Sequence, residues 1–295
     1  MRTLDAVALA KLRNLRFGLP RHRAESHLSG RHRSVLFGFS QEFAHHRQYT
    51  PGDELKFLDW KVYARKDRFF VKQFQEDVSM ATYFVVDRSG SMGYQGTGPA
   101  PKWSQARVLA AALSYLVLSQ GDAAGLITFD TAPGDFIPPR RQLSHLELID
   151  SALDGRGPGG ETDLAGVLRG VAGLIKRRSL IVLISDLLGD PASILQTVKA
   201  LRARKHEVFV LQVLDPAERD LPMDGPILFE SLEDRSTLRC EASLLREAYR
   251  AEFSRQLRTY ESGFRRSGIA YAALYTEAPW DVNLARFLSL QRAAS

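Results

Sequence analysis

The chain has 295 residues, 44% of them hydrophobic and 25% charged, a globular balance with enough apolar residues for a sizeable core. Its single cysteine, Cys240, excludes an internal disulfide framework and an all-thiolate zinc site, and fits a reducing compartment. The net charge of +6 is uneven, because residues 1–33 hold eight Arg or Lys against two acids and the rest of the chain balances 32 bases with 32 acids.

The N-terminal stretch MRTLDAVALAKLRNLRFGLPRHR has neither the long apolar run nor the small-residue cleavage site of a secretory signal. Residues 1–33 therefore read as a basic, solvated arm. A short helix is predicted near LDAVALAKLRNL, where Leu4, Val7, Ala8, Lys11, Leu12 and Leu15 give a partial 3.6-residue period. The alternative makes this arm a contact for nucleic acid or an anionic membrane surface. Phe17 is its only aromatic, so it lacks the interleaved rings of a single-strand binder, and nucleic acid is not the expected partner.

Residues 34–77 look β-rich. QEFAHHRQY and DRFFVKQFQ carry aromatic and β-branched residues with some alternation, and Pro51-Gly52-Asp53 between them is a turn signal.

From residue 78 strands alternate with helices. ATYFVVD, DAAGLITFD, SLIVLISD, EVFVLQVLD and IAYAALYT read as strands. Between and after them, helices are expected at KWSQARVLAAALSYLVLSQ, at SHLELIDSALDG behind Ser144, at DLAGVLRGVAGLIKRR, at PASILQTVKALRARK behind Pro191, at SLLREAYRAEFSRQLRTYESGFRRSG and at PWDVNLARFLSLQR. The pattern predicts an α/β domain over residues 78–295, a mainly parallel sheet with helices on both faces. Residues 216–240 carry two short strand-like runs instead of a helix, which predicts a β-insert able to pair with the strands of residues 34–77. The longest apolar runs, YFVVD and SLIVLIS, fall far below the ~20 residues of a membrane helix, so a soluble cytoplasmic protein is expected.

In an open α/β sheet, ligands sit at the carboxyl ends of strands. ATYFVV is followed by Asp87-Arg88-Ser89-Gly90-Ser91, SLIVLIS by Asp186, and the helix DLAGVLRG is preceded by Gly159-Gly160-Glu161-Thr162-Asp163. These are hard oxygen donors suited to Mg²⁺, with Mn²⁺ or Ca²⁺ as the other cations such a set accepts. Two hydroxyls and few carboxylates leave positive charge on the metal, which can attract an incoming carboxylate. Gly90 and Gly93 allow a sharp turn from strand to helix.

Asp87-x-Ser89-x-Ser91, a threonine 75 residues later and an aspartate 24 residues after that resemble the metal ion-dependent adhesion site of von Willebrand factor A domains. The resemblance implies a Rossmann-like fold and a Mg²⁺ ion. It implies Ser89, Ser91 and Thr162 as direct ligands, Asp87 and Asp186 as direct or water-bridged ones, and one coordination position left for an acidic partner. Upstream, Gly38-(x)3-Glu42-Phe43, Arg47-x-Tyr49-x-Pro51-Gly52-Asp53, Asp59-Trp60-(x)3-Ala64-Arg65 and Val71-Lys72-x-Phe74 are similar to the signature of the bacterial domain of unknown function 58. That resemblance implies a von Willebrand A-like domain behind a signature segment, and a MoxR-type AAA+ ATPase as partner for an adaptor. Arg47, Asp53, Asp59, Trp60 and Arg65 are expected to form a salt-bridged, aromatic-packed structural knot.

Catalytic alternatives fit less well. A haloacid dehalogenase-like phosphatase also begins with strand–Asp and ends with acids such as Asp186 and Asp190, but needs a second carboxylate where this chain has Ser89. There is no GxxxxGK[ST] and no GxSxG, and Gly93, Gly96 and Gly98 read as a flexible loop. His22, His27 and His32 are five residues apart and His45 and His46 adjacent, which is not zinc-ligand spacing. Cys240 is expected at a plain buried or edge position. The sequence thus points to a non-catalytic, metal-dependent interaction module.

Overall fold

The computed structural model describes residues 3–18, 22–24, 41–51, 58–78, 80–160, 163–232 and 235–294. The chain forms two compact units, one of Met1–Pro20 with Met80–Ser295 and one of Arg21–Ser79. The first helix, α1 (Ala6–Leu12), belongs to the larger unit.

The smaller unit contains β1 (His22–Ala24), β2 (Gln41–Gln48), α2 (Trp60–Lys66) and β3 (Phe70–Val78). Its antiparallel sheet has the order β1-β3-β2, with a bulge between Phe43 and His45. The described part of residues 34–77 thus contains β2 and β3 and, between them, α2, which was not expected. Buried Asp59 starts α2 by accepting from the N–H groups of Lys61 at 3.0 Å and Val62 at 3.2 Å. Its other oxygen, Oδ2, lies 3.0 Å from His46 Nε2. Of the expected knot, Asp59 is buried, but Trp60 is 61% exposed and Arg65 exposed, so Trp60 is not packed inside. The close stack is Tyr63 on Phe69, with ring centroids 4.5 Å apart. Arg47 sits in β2 opposite Val71, and Asp53 lies outside the described residues, as do His27 and His32.

The larger unit continues with β4 (Ala81–Asp87), α3 (Lys102–Ser119), β5 (Ala124–Phe129), β6 (Pro133–Arg140), α4 (His145–Gly155), α5 (Leu164–Leu174), β7 (Ser179–Ser185), α6 (Pro191–Ala203) and β8 (Glu207–Leu214). After them come α7 (Pro216–Asp220), β9 (Pro226–Glu230), β10 (Thr237–Glu241), α8 (Ala242–Arg266), β11 (Ala270–Tyr275) and α9 (Trp280–Ala294). The main sheet has the order β11-β8-β7-β4-β5-β6 and is parallel except for β6 against β5. Its inner strands β4, β5, β7 and β8 are mainly apolar runs because both faces are covered. Phe84 and Val86 of β4, with Leu180, Val182 and Ile184 of β7, join the core under α3, α4 and α9. Val85, Ile181 and Leu183 point the other way, into the core under α5, α6 and α8.

Strand β6 was not expected, because Pro133, Pro138 and Pro139 disguise it. Proline is tolerated there because an edge strand needs ladder donors on one side only. The insert also differs from expectation. It opens with the short helix α7, and β9 pairs antiparallel with β10 in a two-stranded sheet of its own, not with the strands of residues 34–77.

The basic arm needs a larger correction. Residues 4–17 are not a solvated tail, since Leu4, Ala8, Leu12 and Phe17 are buried in the core of the larger unit. The Phe17 ring lies 6.1 Å from both Phe209 and Phe287. The Gly18 N–H donates to Gln291 Oε1 at 3.0 Å, and Lys11 pairs with Asp281 at 2.6 Å. The i, i+4 spacing of Leu4, Ala8 and Leu12 makes one apolar stripe, and burying a Leu or Phe is worth about 1.5–3 kcal/mol. The intervening bases Lys11, Arg13 and Arg16 stay exposed to water, so this burial does not cost their hydration. No helix among the described residues is long and apolar enough to cross a membrane.

Candidate metal centre

Chain direction places the centre. After β4, the chain runs to β5 and β6 on one side of the sheet, then returns to build β7, β8 and β11 on the other. The switch point lies between β4 and β7. Asp87 is the last residue of β4, and Asp186 immediately follows β7.

Asp87, Ser89, Ser91 and Asp186 come together here, all buried, with Asp87 and Ser89 only 1% exposed. Asp87 Oδ1 accepts from the Ser89 N–H at 2.9 Å, and its Oδ2 accepts from Ser185 Oγ at 2.6 Å. The Ser89 and Ser91 hydroxyls lie 3.0 Å apart, with Ser91 in a one-turn 3-10 helix, Gly90–Gly93. Asp186 Oδ1 accepts from the Leu188 N–H at 3.2 Å. Burial, and then the like charge of Asp186, push the Asp87 carboxyl up to about 7 against the hydrogen bonds from Ser185 and Ser89.

Thr162 lies outside the described residues, but the segment before it is tied to the turn. The Gly90 N–H donates to Gly160 O at 2.9 Å, and the Gly159 N–H to Arg88 O at 3.0 Å. Asp163 does not reach inward; it caps α5 through the Gly166 N–H at 2.9 Å. Asp190 likewise caps α6 through the Ser193 N–H at 2.8 Å. Gly90 is required for close approach, because a β-carbon there would overlap the carbonyl oxygen of Leu232.

Two features of the centre were not legible in the motif. The first is Lys102, whose ammonium is 2.7 Å from Asp186 Oδ2 and 2.6 Å from Glu218 Oε1, with its side chain 2% exposed. Burial alone would lower its pKa, but the charges and hydrogen bonds of Asp186 and Glu218 outweigh burial and hold it above the ordinary lysine value. A signal existed, since Lys102 is the first residue of α3, where the helix dipole disfavours a cation. The second is Asp215. Its carboxylate accepts from the N–H groups of Gly96 at 3.1 Å, Thr97 at 3.0 Å and Gly98 at 3.1 Å. The Gly93–Gly98 stretch is therefore clasped, not a flexible loop, and side chains at Gly96 or Gly98 would collide with Ala217 or Thr276. Arg88 points away from the centre, toward Asp130 at 3.4 Å and Asp135 at 3.3 Å.

The donors are two carboxylates and two hydroxyls, all hard oxygens, and the set fits a small divalent cation that retains water. Among the described residues no group of three or more His, Cys, Asp or Glu is placed to hold a metal.

These features define a mixed α/β domain with an oxygen-rich turn at the carboxyl end of its central strands. Residues 45–262 match the family described as Protein of unknown function DUF58, and the chain belongs to that family. The uncharacterized protein Mb1516 of Mycobacterium bovis is 30% identical over 300 residues, covering 98% of this chain and 91% of its own length. Among solved structures, BatB from Bacteroides thetaiotaomicron is similar with a TM-score of 0.47 and 13% identity, covering 73% of this chain and 98% of its own. The SpRpn10 VWA domain is similar with a TM-score of 0.44 and 13% identity, covering 70% of this chain and 94% of its own.

Proposed function

We propose that the chain is a non-catalytic, metal-dependent protein-interaction module. Asp87, Ser89, Ser91, Thr162 and Asp186 hold Mg²⁺, and an acidic residue of a partner protein completes its coordination. The observation that carries this reading is the pair of hydroxyls 3.0 Å apart beside two aspartates at the ends of adjoining strands. When bound, the cation supplies a Lewis-acidic centre for the partner's carboxylate. The chain's own residues set its strength. Lys102 neutralises Asp186, Ser185 and the Ser89 N–H hold both Asp87 oxygens, and Ser89 and Ser91 contribute neutral oxygens. Fewer free negative charges at the cation favour an external acid. A hydroxyl at Ser89 cannot act as the proton-transferring carboxylate that a phosphatase needs, which supports a binding role. The partner system we infer is a MoxR-type AAA+ ATPase, served by this chain as a cytoplasmic adaptor.

Calorimetric titration of Mg²⁺ into the wild type and Asp87→Ala tests the metal. Uptake by the wild type alone is expected, and equal, negligible heats would overturn the reading. Co-purification of the ATPase that is lost with a chelator tests the adaptor role.

A further inference from the structure

The smaller unit carries a cluster that the metal centre does not use. Residues 60–69 hold Lys61, Arg65, Lys66 and Arg68 against one acid, Asp67, and interleave them with Trp60, Tyr63 and Phe69. Asp67 ends α2 in a left-handed conformation, φ 49°, and its N–H donates to Tyr63 O at 2.9 Å. The turn brings Phe69 back onto Tyr63. The two rings are stacked, 8° from parallel, with centroids 4.5 Å apart. Trp60 meets Tyr63 edge-on at 6.2 Å, and Tyr49 meets Phe69 edge-on at 6.2 Å. The Tyr49 N–H donates to Phe69 O at 2.9 Å, which ties the last ring into the row.

Two features of this row have no use within the fold. Trp60 and Phe69 are 61% and 43% exposed, with Tyr63 and Tyr49 half-buried beside them. Rings left in water forfeit the burial that aromatic side chains ordinarily gain. Lys61, Arg65 and Arg68 are exposed as well, and none of them is ion-paired with another described residue. Lys61 and Arg65 are four residues apart and share one side of α2. The surface therefore offers flat rings and uncompensated positive charge together. An acidic peptide would satisfy the cations and leave the rings bare, and an apolar peptide would do the reverse. An unpaired nucleotide carries a flat π-face and a negative charge, and satisfies both. A duplex keeps its base faces in its own stack and offers this surface phosphates alone.

We propose that the smaller unit binds single-stranded nucleic acid, with bases stacking on Trp60 and Phe69 and phosphates meeting Lys61, Arg65 and Arg68. This binding belongs to a different unit from the metal centre and does not depend on it.

The test uses the full chain in EDTA and a short fluorescein-labelled oligothymidine followed by anisotropy, with the same strand annealed to oligoadenine as the comparison. The single strand is expected to bind about tenfold more tightly than the duplex. Trp60→Ala should weaken single-strand binding about tenfold, as for the loss of one stacked base, with the melting temperature unchanged. Trp60→Phe keeps a ring and should weaken it much less. Three phosphate contacts predict roughly a twentyfold loss of affinity between about 50 and 200 mM salt, and Lys61→Gln should reduce that dependence by about a third. Equal affinity for strand and duplex, or Trp60→Ala binding as the wild type does, overturns the proposal. So does no binding at low salt by a chain that melts as a folded protein. Tighter binding of phosphatidylglycerol vesicles or of polyglutamate than of the strand overturns it in favour of a membrane surface or an acidic peptide.

Discussion

Replacing Lys102 by Met removes an ammonium shared by two carboxylates, Asp186 at 2.7 Å with its side chain 3% exposed and Glu218 at 2.6 Å. Methionine fills similar space and cannot neutralise either charge. Deleting one member of a buried ion pair costs about 3–5 kcal/mol, because the charge left behind keeps its desolvation penalty. Against a domain stability of roughly 5–15 kcal/mol, this is a third or more of the total in the middle of the range. The assay is equilibrium urea unfolding followed by tryptophan fluorescence, with EDTA and again with Mg²⁺. With EDTA, the Lys102→Met transition should move by the amount stated. Mg²⁺ at a hundredfold excess over its dissociation constant from the variant should raise Lys102→Met by about 2.7 kcal/mol, and by more than the same concentration raises the wild type, since the cation replaces the missing charge near Asp186. Lys102→Arg keeps the charge but not the compact ammonium, and should lose less than Met. A Lys102→Met protein within about 0.5 kcal/mol of wild type in EDTA would refute the electrostatic account, because differences that small are ordinary for surface substitutions.

The Asp87 carboxyl, at about 7 in the folded chain against an ordinary 3.8, keeps a proton that the unfolded chain has already lost. Its contribution to stability is fully present below the lower value and is lost as pH rises through the higher one. The metal-free wild type should therefore be more stable near pH 5 than near pH 8 in thermal melts, and Asp87→Asn should flatten that difference. Mg²⁺ uptake must displace the same proton, so calorimetric affinity should fall as pH drops below about 7. Phe17→Ala should cost about 3–5 kcal/mol in urea unfolding, a core-sized loss. A change below about 0.5 kcal/mol, as for an exposed residue, would return that segment to a solvated tail. Gly90→Ala should cost about 1–3 kcal/mol from forced backbone shifts and weaken Mg²⁺ binding, whereas Gly155→Ala, with open space around it, should leave Mg²⁺ binding unchanged.

The strands that carry the centre were the easiest part of the sequence to read. Runs such as SLIVLIS have one stable place, between two layers of helix, and an aspartate at the end of such a run stands at the rim of the sheet. Lys102 escaped because the motif stops at Ser91 and the helix after it reads as ordinary apolar core. Only the partner carboxylates, 84 and 116 residues away in sequence, explain a lysine there. The glycines at 96 and 98 misled for a related reason. Alone they suggest freedom, while their fixed N–H groups depend on Asp215, 119 and 117 residues distant. Strand β6 was hidden by proline, whose local meaning is to break structure. Residues 4–17 were misjudged by counting charge over a window in which the apolar stripe was already visible.

The seating of Phe17 against Phe287, and of Gly18 on Gln291, bears on how the molecule is made. During synthesis the opening helix leaves the ribosome long before α9 exists to receive it. Its apolar stripe packs in part on α3, but Phe17 cannot reach its seat against Phe287 until α9 has been made. A chain lacking α9 would therefore leave Phe17 and Gly18 without these partners, and the apolar surface so uncovered would invite aggregation.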